Sequence, residues 1–342
     1  MNSLTRSKNR LSAWIGASML LALSMFGFTS SAAQAAESVQ PEAVVTSVAT
    51  LDASLRPPGV PTDYVITPNG YFSASCVQLV QADEKLLADG RIERANGAVR
   101  KPATCTQPHY TSNGLRIHPN GVIEAMYGQA RSTVPSYSGW VLYTSYTSAK
   151  AIGRIVANWT VPAAPASAGS QVVYFFPGLE QLPNVQSILQ PVLGWNGYGD
   201  KAWTMASWNC CVSGTTYHSN PINVSKGDKI TGDTYSTCAA GVSCTKWAIV
   251  STDTTTGKST TLNTNPYSTL TWVFGGVLEA YGIGTCSQYA GSPINFTNIK
   301  VYDINKVQVA SPPWAGTNVI GSGAPQCNYK IASTASTATL SY

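Results

Sequence analysis

Charge is scarce in this chain of 342 residues: Asp, Glu, Lys and Arg make up 11% of it, against about 25% in an average soluble domain. The formal net charge is +5, and no basic stripe accompanies it, which excludes a surface built to hold nucleic acid. Histidine is rarer still, with three in the chain, His109, His118 and His218. No Cys-x2-Cys pair and no H-E-x-x-H occurs, nor any Asp/Asn loop of calcium spacing, so no metal and no cofactor is expected. G-x-S-x-G is missing too, and no histidine has a nucleophile motif beside it; nothing supports a serine or cysteine hydrolase. His118 sits in an HPNG turn and reads as a surface residue. Helix patterns are nearly absent, the segment DEKLLADG at 83–90 being the one short candidate. No period of 20–50 residues repeats, which argues against a solenoid or propeller.

What the chain has instead is apolar and aromatic. It is 44% hydrophobic, with 17 Tyr and 9 Trp, the look of an extracellular β-rich protein. Residues 1–35 are expected to be an export signal peptide. Arg6, Lys8 and Arg10 precede the apolar stretch LSAWIGASMLLALSMFGF, and AQA at 33–35 supplies small residues for cleavage. That run is nearly long enough for a membrane anchor, but the small residues and the lack of a basic flank favour removal. The protein is therefore expected to be secreted, extracellular or periplasmic, without membrane contact afterwards. Export makes disulfides the default for the eight cysteines. Cys76 with Cys105 and Cys238 with Cys244 are the plausible local pairs. Cys210 and Cys211, being adjacent, are expected to find separate partners in Cys286 and Cys327.

The acids mark a boundary. Residues 36–135 hold nine, and residues 136–342 hold seven in twice the length, with ARSTVPSYSG at the join. The expected organisation is a signal over 1–35, a pro-segment or small disulfide-containing module over 36–135, a β-sandwich over 136–310 and a C-terminal extension over 311–342. In the first part LRIHPNGVIEA carries an Asn-Gly turn. From 136 onward apolar runs bounded by turn residues follow one another, among them GRIVANWTV, QVVYFFPGL, SILQPVLGW, AWTMASWNC and LTWVFGGVLEAYG. Hairpins are expected around KGD at 226–228 and TTTG at 254–257. Many short strands without helices between them predict an all-β protein: a two-sheet antiparallel β-sandwich of jelly-roll, concanavalin-like type, with a small N-terminal module.

Two polar side chains interrupt the apolar strands. Gln190 stands in SILQPVLGW with Ile188 and Val192 on its face. Pro191 removes a backbone donor beside it, so that strand is expected to be an edge or to be interrupted there. Glu279 stands in WVFGGVLEAYG, where alternation sets Val273, Gly275, Val277, Glu279 and Tyr281 on one face. An acid between Val277 and Tyr281 is costly to bury ionised unless it is paired. Gly275 and Gly276 weaken the strand interior, a sign of close approach by a ligand or another backbone. The plain alternative is a glutamate at a strand end reaching water. Glu180 is the only other glutamate after residue 135.

ILQ at Ile188–Gln190 and LEAY at Leu278–Tyr281 resemble the two catalytic segments of the glutamic peptidases, the eqolisins. SGWVLY (138–143), ANWTVPAAP (157–165), FFPGLE (175–180), INVSKGDKI (222–230) and DTTTGKSTT (253–261) resemble further segments of that family. They follow the family's order over about residues 136–305. The resemblance implies an endopeptidase acting on proteins or peptides without a covalent intermediate, with Gln190 and Glu279 catalytic. Ionised Glu279 would take a proton from water, a role worth roughly 10²–10⁴-fold in rate, and pass it to the leaving amine. The Gln190 NH₂ would bind the developing oxyanion while its carbonyl oxygen helps hold the water. Glu180 would hold or tune the site, with Phe176, Trp195, Gly275 and Tyr281 as substrate-binding or tuning neighbours. Where the family has acids this chain has Gly194, Ser207 and Ala280, so the family's strongly acidic optimum is not expected. By position, residues 36–135 correspond to the family's propeptide.

A carbohydrate-active sandwich is the alternative. A glycosidase would use Glu180 and Glu279 with carboxyl groups about 5–5.5 Å apart for retention or about 6.5–9.5 Å for inversion. A lectin-like module would present aromatics and need neither acid. Trp195, Trp203, Trp208 and Trp272 lie on the proposed strands; most belong to a core, and some could line an apolar cleft.

Overall fold

Alternation fails in three strands, Val172–Glu180, Ile188–Trp195 and Trp203–Cys210, where every residue is buried. A strand buried on both faces reads as a continuous apolar run, and the fold supplies both covers. The computed structural model describes residues 48–124, 136–182, 187–320 and 324–342; the expected export signal lies outside the described residues. The three strands sit in a nine-stranded sheet, in the order Ala315–Asn318, Tyr137–Thr147, Trp272–Ile283, Val172–Glu180, Ile188–Trp195, Trp203–Cys210, Thr216–His218 and Val77–Leu79, with Ile222–Val224 also pairing on Trp203–Cys210. One face packs on a ten-stranded sheet through Leu142, Phe175, Leu193, Ile249, Phe296 and Val301. The other face is covered by residues 48–76 and 105–124, whose five-stranded sheet includes the hairpin Val65–Thr67 and Gly70–Phe72. The second core, under that cover, joins Tyr71 and Phe72 to Tyr174, Phe176, Trp208 and Tyr281.

The all-β sandwich is as the sequence predicts, and its sheets are mostly antiparallel. The first part of the chain adds two parallel contacts, Val77–Leu79 beside Thr216–His218 and Lys85 beside Asn263. The C-terminal segment is woven in: Ala315–Asn318 pairs with Tyr137–Thr147, and Thr337–Ser341 pairs with Ile294–Asp303. The TTTG hairpin forms between Trp247–Asp253 and Ser259–Thr264. The Asn-Gly hairpin forms with Ile117 opposite Ile123 and Gly121 at φ +81°.

Other expectations are corrected. The KGD turn does not close a hairpin, because Ile222–Val224 pairs in the nine-stranded sheet whereas Lys229–Ser236 pairs in the ten-stranded one. The helix candidate contains a strand, Glu84–Leu86. Leu86 is buried there, and Glu84 is held by Arg94 at 3.3 Å and Arg100 at 2.9 Å. Cys76 pairs with Cys105 and Cys238 with Cys244, but Cys210 and Cys211 bond to each other. Cys286 and Cys327 stand together with Cα atoms 5.7 Å apart and satisfy one another, leaving neither for the adjacent pair.

Alternation along Trp272–Ile283 breaks at Gly275 and Gly276. Val273 faces the core between the sheets, whereas Val277 and Tyr281 face the covering layer. The close neighbours of the two glycines are side chains: a Cβ on Gly276 would lie 2.3 Å from the Phe296 ring, and one on Gly275 2.9 Å from Thr144 Oγ1. Gly276→Ala is expected to destabilise the fold by about 1–3 kcal/mol through overpacking, read as a lower denaturation midpoint with an unchanged slope.

Candidate active site

Gln190 and Glu279 lie on the same face of the nine-stranded sheet, the face under residues 48–76 and 105–124. Gln190 shares its side of the strand with Ile188 and Val192, and Glu279 shares its side with Val277 and Tyr281, all four in the second core. Both polar side chains are buried, Gln190 at 0% and Glu279 at 2% exposure. Two prolines help to shape this region. The register of Val172–Glu180 with Ile188–Trp195 sets Pro177 across from Pro191, and no paired residues occur between Phe175↔Leu193 and Leu179↔Leu189. Neither proline has an N–H to give, so the ladder is interrupted beside Gln190, within an internal strand rather than an edge.

The amide of Gln190 already holds a backbone carbonyl. Its Nε2–H donates to the carbonyl oxygen of Pro68, at the tip of the Val65–Phe72 hairpin, at 3.5 Å. Gln190 Oε1 has no partner among the described residues. Glu279 is held differently. Its Oε1 accepts from the Tyr281 hydroxyl at 2.6 Å, while Oε2 has no hydrogen-bond partner among the described residues. Burial pushes the Glu279 carboxyl up to about 8, opposed by the Tyr281 hydroxyl and by nearby Trp140, which favours the charge without bonding to Oε2. Burial alone raises Glu180 to about 8. Tyr71 and Tyr137 flank Glu279 and are pushed up to about 12, mainly by burial.

The space between the sheet and its cover is a cavity of about 950 Å³, lined by Glu180, Ile188, Trp140, Cys211, Tyr267 and Glu279 from one side. Pro68, Asn69, His109, His118 and Ile123 line it from the other. A second cavity, about 670 Å³, opens on the ten-stranded sheet beside Lys226, Lys229 and Asn158. Its lining has no carboxylate, histidine or cysteine. Among the described residues, no group of three or more His, Cys, Asp or Glu is placed so that it could hold a metal ion.

The register sets the spacing. Gln190 stands opposite Gly178 on the intervening strand, and Glu279 opposite Tyr174. Four positions of strand, roughly 13 Å at about 3.3 Å per residue, therefore separate them lengthwise. A Cβ on Gly178 would lie 3.8 Å from Gln190 Cγ and 3.6 Å from the Phe274 ring. The group facing Gln190 across that glycine is thus Phe274, not Glu279. Glu180 stands opposite Ile188, on Gln190's side of the sheet, and lines the cavity. Six positions, roughly 20 Å, separate Glu180 from Glu279 lengthwise, beyond either glycosidase spacing.

Among the remaining expected neighbours, Phe176 and Tyr281 face the cavity side, Phe176 edge-on to Trp140 with ring centroids 6.0 Å apart. Trp195 does not join them. It packs between the two large sheets against Trp203, at 5.5 Å, because its place in the strand is odd relative to Gln190. Gly275 likewise faces Thr144 and Trp314 in the interior. Trp203 is core, Trp208 lies under the cover, and Trp272 stacks on Trp140. Pro68, Tyr71 and Trp140 were not singled out as site residues; only the last carried a signal, as the aromatic of the SGWVLY segment.

No family model and no curated protein matches the sequence. Among solved structures the chain is similar to scytalido-glutamic peptidase with a peptide-based transition-state analogue, at 17% identity and TM-score 0.46, over 60% of this chain and 99% of that one. It is similar to SCP-B, a member of the eqolisin family, in complex with the tripeptide Ala-Ile-His, at 18% identity and TM-score 0.45, again over 60% and 99%. It is also similar to the enzymatically active domain of tailspike protein 2 of bacteriophage CBA120, at 14% identity and TM-score 0.29, over 58% of this chain and 28% of that one.

Proposed function

We propose that the chain hydrolyses peptide bonds, with the Gln190 amide binding the carbonyl of an extended substrate and a buried glutamate of the same sheet face acting as general base. The observation that carries this is the hydrogen bond from Gln190 Nε2 to the Pro68 carbonyl, a peptide C=O held on a buried amide whose own oxygen is unpartnered. The hairpin tip occupies the position where a substrate carbonyl would be polarised. Secretion and a water-based reaction are part of the same proposal, and the four disulfides suit an oxidising compartment. The sequence assigns the base to Glu279, and the fold offers Glu180 on the same face. A sugar-cleaving pair of Glu180 and Glu279 is disfavoured by their separation along the sheet. The test is to incubate the full chain with a mixed peptide library and, separately, with a polysaccharide panel. New amino termini in the first are expected; reducing ends in the second without new amino termini would overturn the proposal.

A further inference from the structure

We infer that Glu180 is the carboxylate that works with Gln190, an assignment resting on the peptidase proposal and going beyond it. Three observations converge. Glu180 pairs with Ile188, so it is the diagonal cross-strand neighbour of Gln190, on the same face. Diagonal neighbours stand roughly 7–8 Å apart at the backbone, within reach of two long side chains. Between them lies Gly178, where a Cβ would come 3.0 Å from the Leu189 carbonyl oxygen and 3.8 Å from Gln190 Cγ, so no side chain of that strand stands between Glu180 and Gln190. Glu180 is also nine-tenths buried and lines the cavity. Glu279 lacks the first two features and is tied to Tyr281.

The step then balances on these two residues. Glu180 takes a proton from a water whose oxygen forms a bond to the carbonyl carbon. The π pair moves onto the carbonyl oxygen, which Gln190 Nε2–H holds. Collapse breaks the C–N bond, and the departing nitrogen receives the proton from Glu180. An amide and water become an acid and an amine, with no other reactant. Titratable groups sharing the cavity are His109 and His118 from the covering layer, Tyr267 from the adjoining loop and Glu279 from its own strand.

Steady-state kinetics of the full chain on a cleaved peptide, with Gln190→Ala, Glu180→Gln, Glu180→Asp and Glu279→Gln, decides it. Glu180→Gln is expected to lower kcat by about 10²–10⁴-fold with KM within threefold, and to lose more than Glu279→Gln. Glu180→Asp is expected to restore part of the rate and to move the rising limb of the pH profile. Far-UV circular dichroism shows that each variant is folded, and the aspartate variant carries the test should the glutamine variant fail to fold. Gln190→Ala inactive with Glu180→Gln within threefold of the parent, rising limb in place, would overturn this inference alone. A parent chain that produces no new amino termini would remove the peptidase proposal and this inference together.

Discussion

Gln190→Ala is expected to cut kcat for peptide cleavage by about 10²–10³-fold, the loss of about 2.7–4 kcal/mol that follows removal of one oxyanion donor. Binding of the ground-state chain rests on many contacts, so KM is expected to change little and the loss to fall on kcat. The substitution also removes the one recorded hydrogen bond from the Gln190 side chain to the Pro68 carbonyl. Loosening of the Val65–Phe72 hairpin tip should follow, visible as faster amide exchange at Asn69 and Gly70. Gly70 is a sensitive reporter: its φ is +111°, and a Cβ there would lie 2.1 Å from the Tyr110 carbonyl oxygen. An alanine variant with full kcat would remove Gln190 from the chemistry.

Thermal stability is expected to stay level through mildly acidic solution, where two opposing pairs of groups offset each other, and to fall on the alkaline side. Glu180 and Glu279 have folded values near 8, above the roughly 4.3 of an unfolded glutamate. The native state keeps two protons that the unfolded chain releases. That contribution is complete below about pH 4.3 and is lost as the pH rises through 8. His109 and His218 act in the opposite sense. Burial lowers both to about 4, under the unfolded value of about 6.5, so their contribution is present above that pH and is lost as the pH falls through 4. Each group is worth on the order of a few kcal/mol. A scan of Tm between pH 4 and pH 9 checks this, and Glu180→Gln and Glu279→Gln should each flatten the alkaline side. A Tm that stays level from pH 6 to pH 9 would show that neither acid is buried neutral.

Much of the architecture was legible because local rules and burial agree. The TTTG hairpin is closed by Asp253, whose carboxylate accepts from the Thr255 and Thr256 amides, a purely local device. The KGD turn looks the same in sequence, and its Asp228 also caps the turn, yet the strands on either side belong to different sheets. Turn chemistry fixes the reversal of the chain but not the partner chosen afterwards. DEKLLADG failed as a helix because Glu84 is claimed by two arginines from neighbouring strands, an attraction that local periodicity does not contain.

The candidate site was legible by residue type and not by register. A buried glutamine and a buried glutamate were both foreseeable from polar residues inside apolar runs. The distance between them was not, because it depends on how Val172–Glu180 is aligned with a strand on each side. Alternation also misplaced Gly275, since the glycine pair shifts the phase of Trp272–Ile283. Nor could the sequence reveal that a peptide carbonyl from residue 68 comes to rest on a side chain 122 residues later.

The covering layer has a consequence for any clipping event. With residues 48–124 gone, the nine-stranded sheet would turn a slab of greasy rings, Tyr174, Phe176, Trp208 and Tyr281, toward bulk water. Bare patches of that kind make molecules clump. A shortened form would stay dispersed only with something else seated on the slab, so nicked material should light up ANS and fall out of suspension faster than the intact chain.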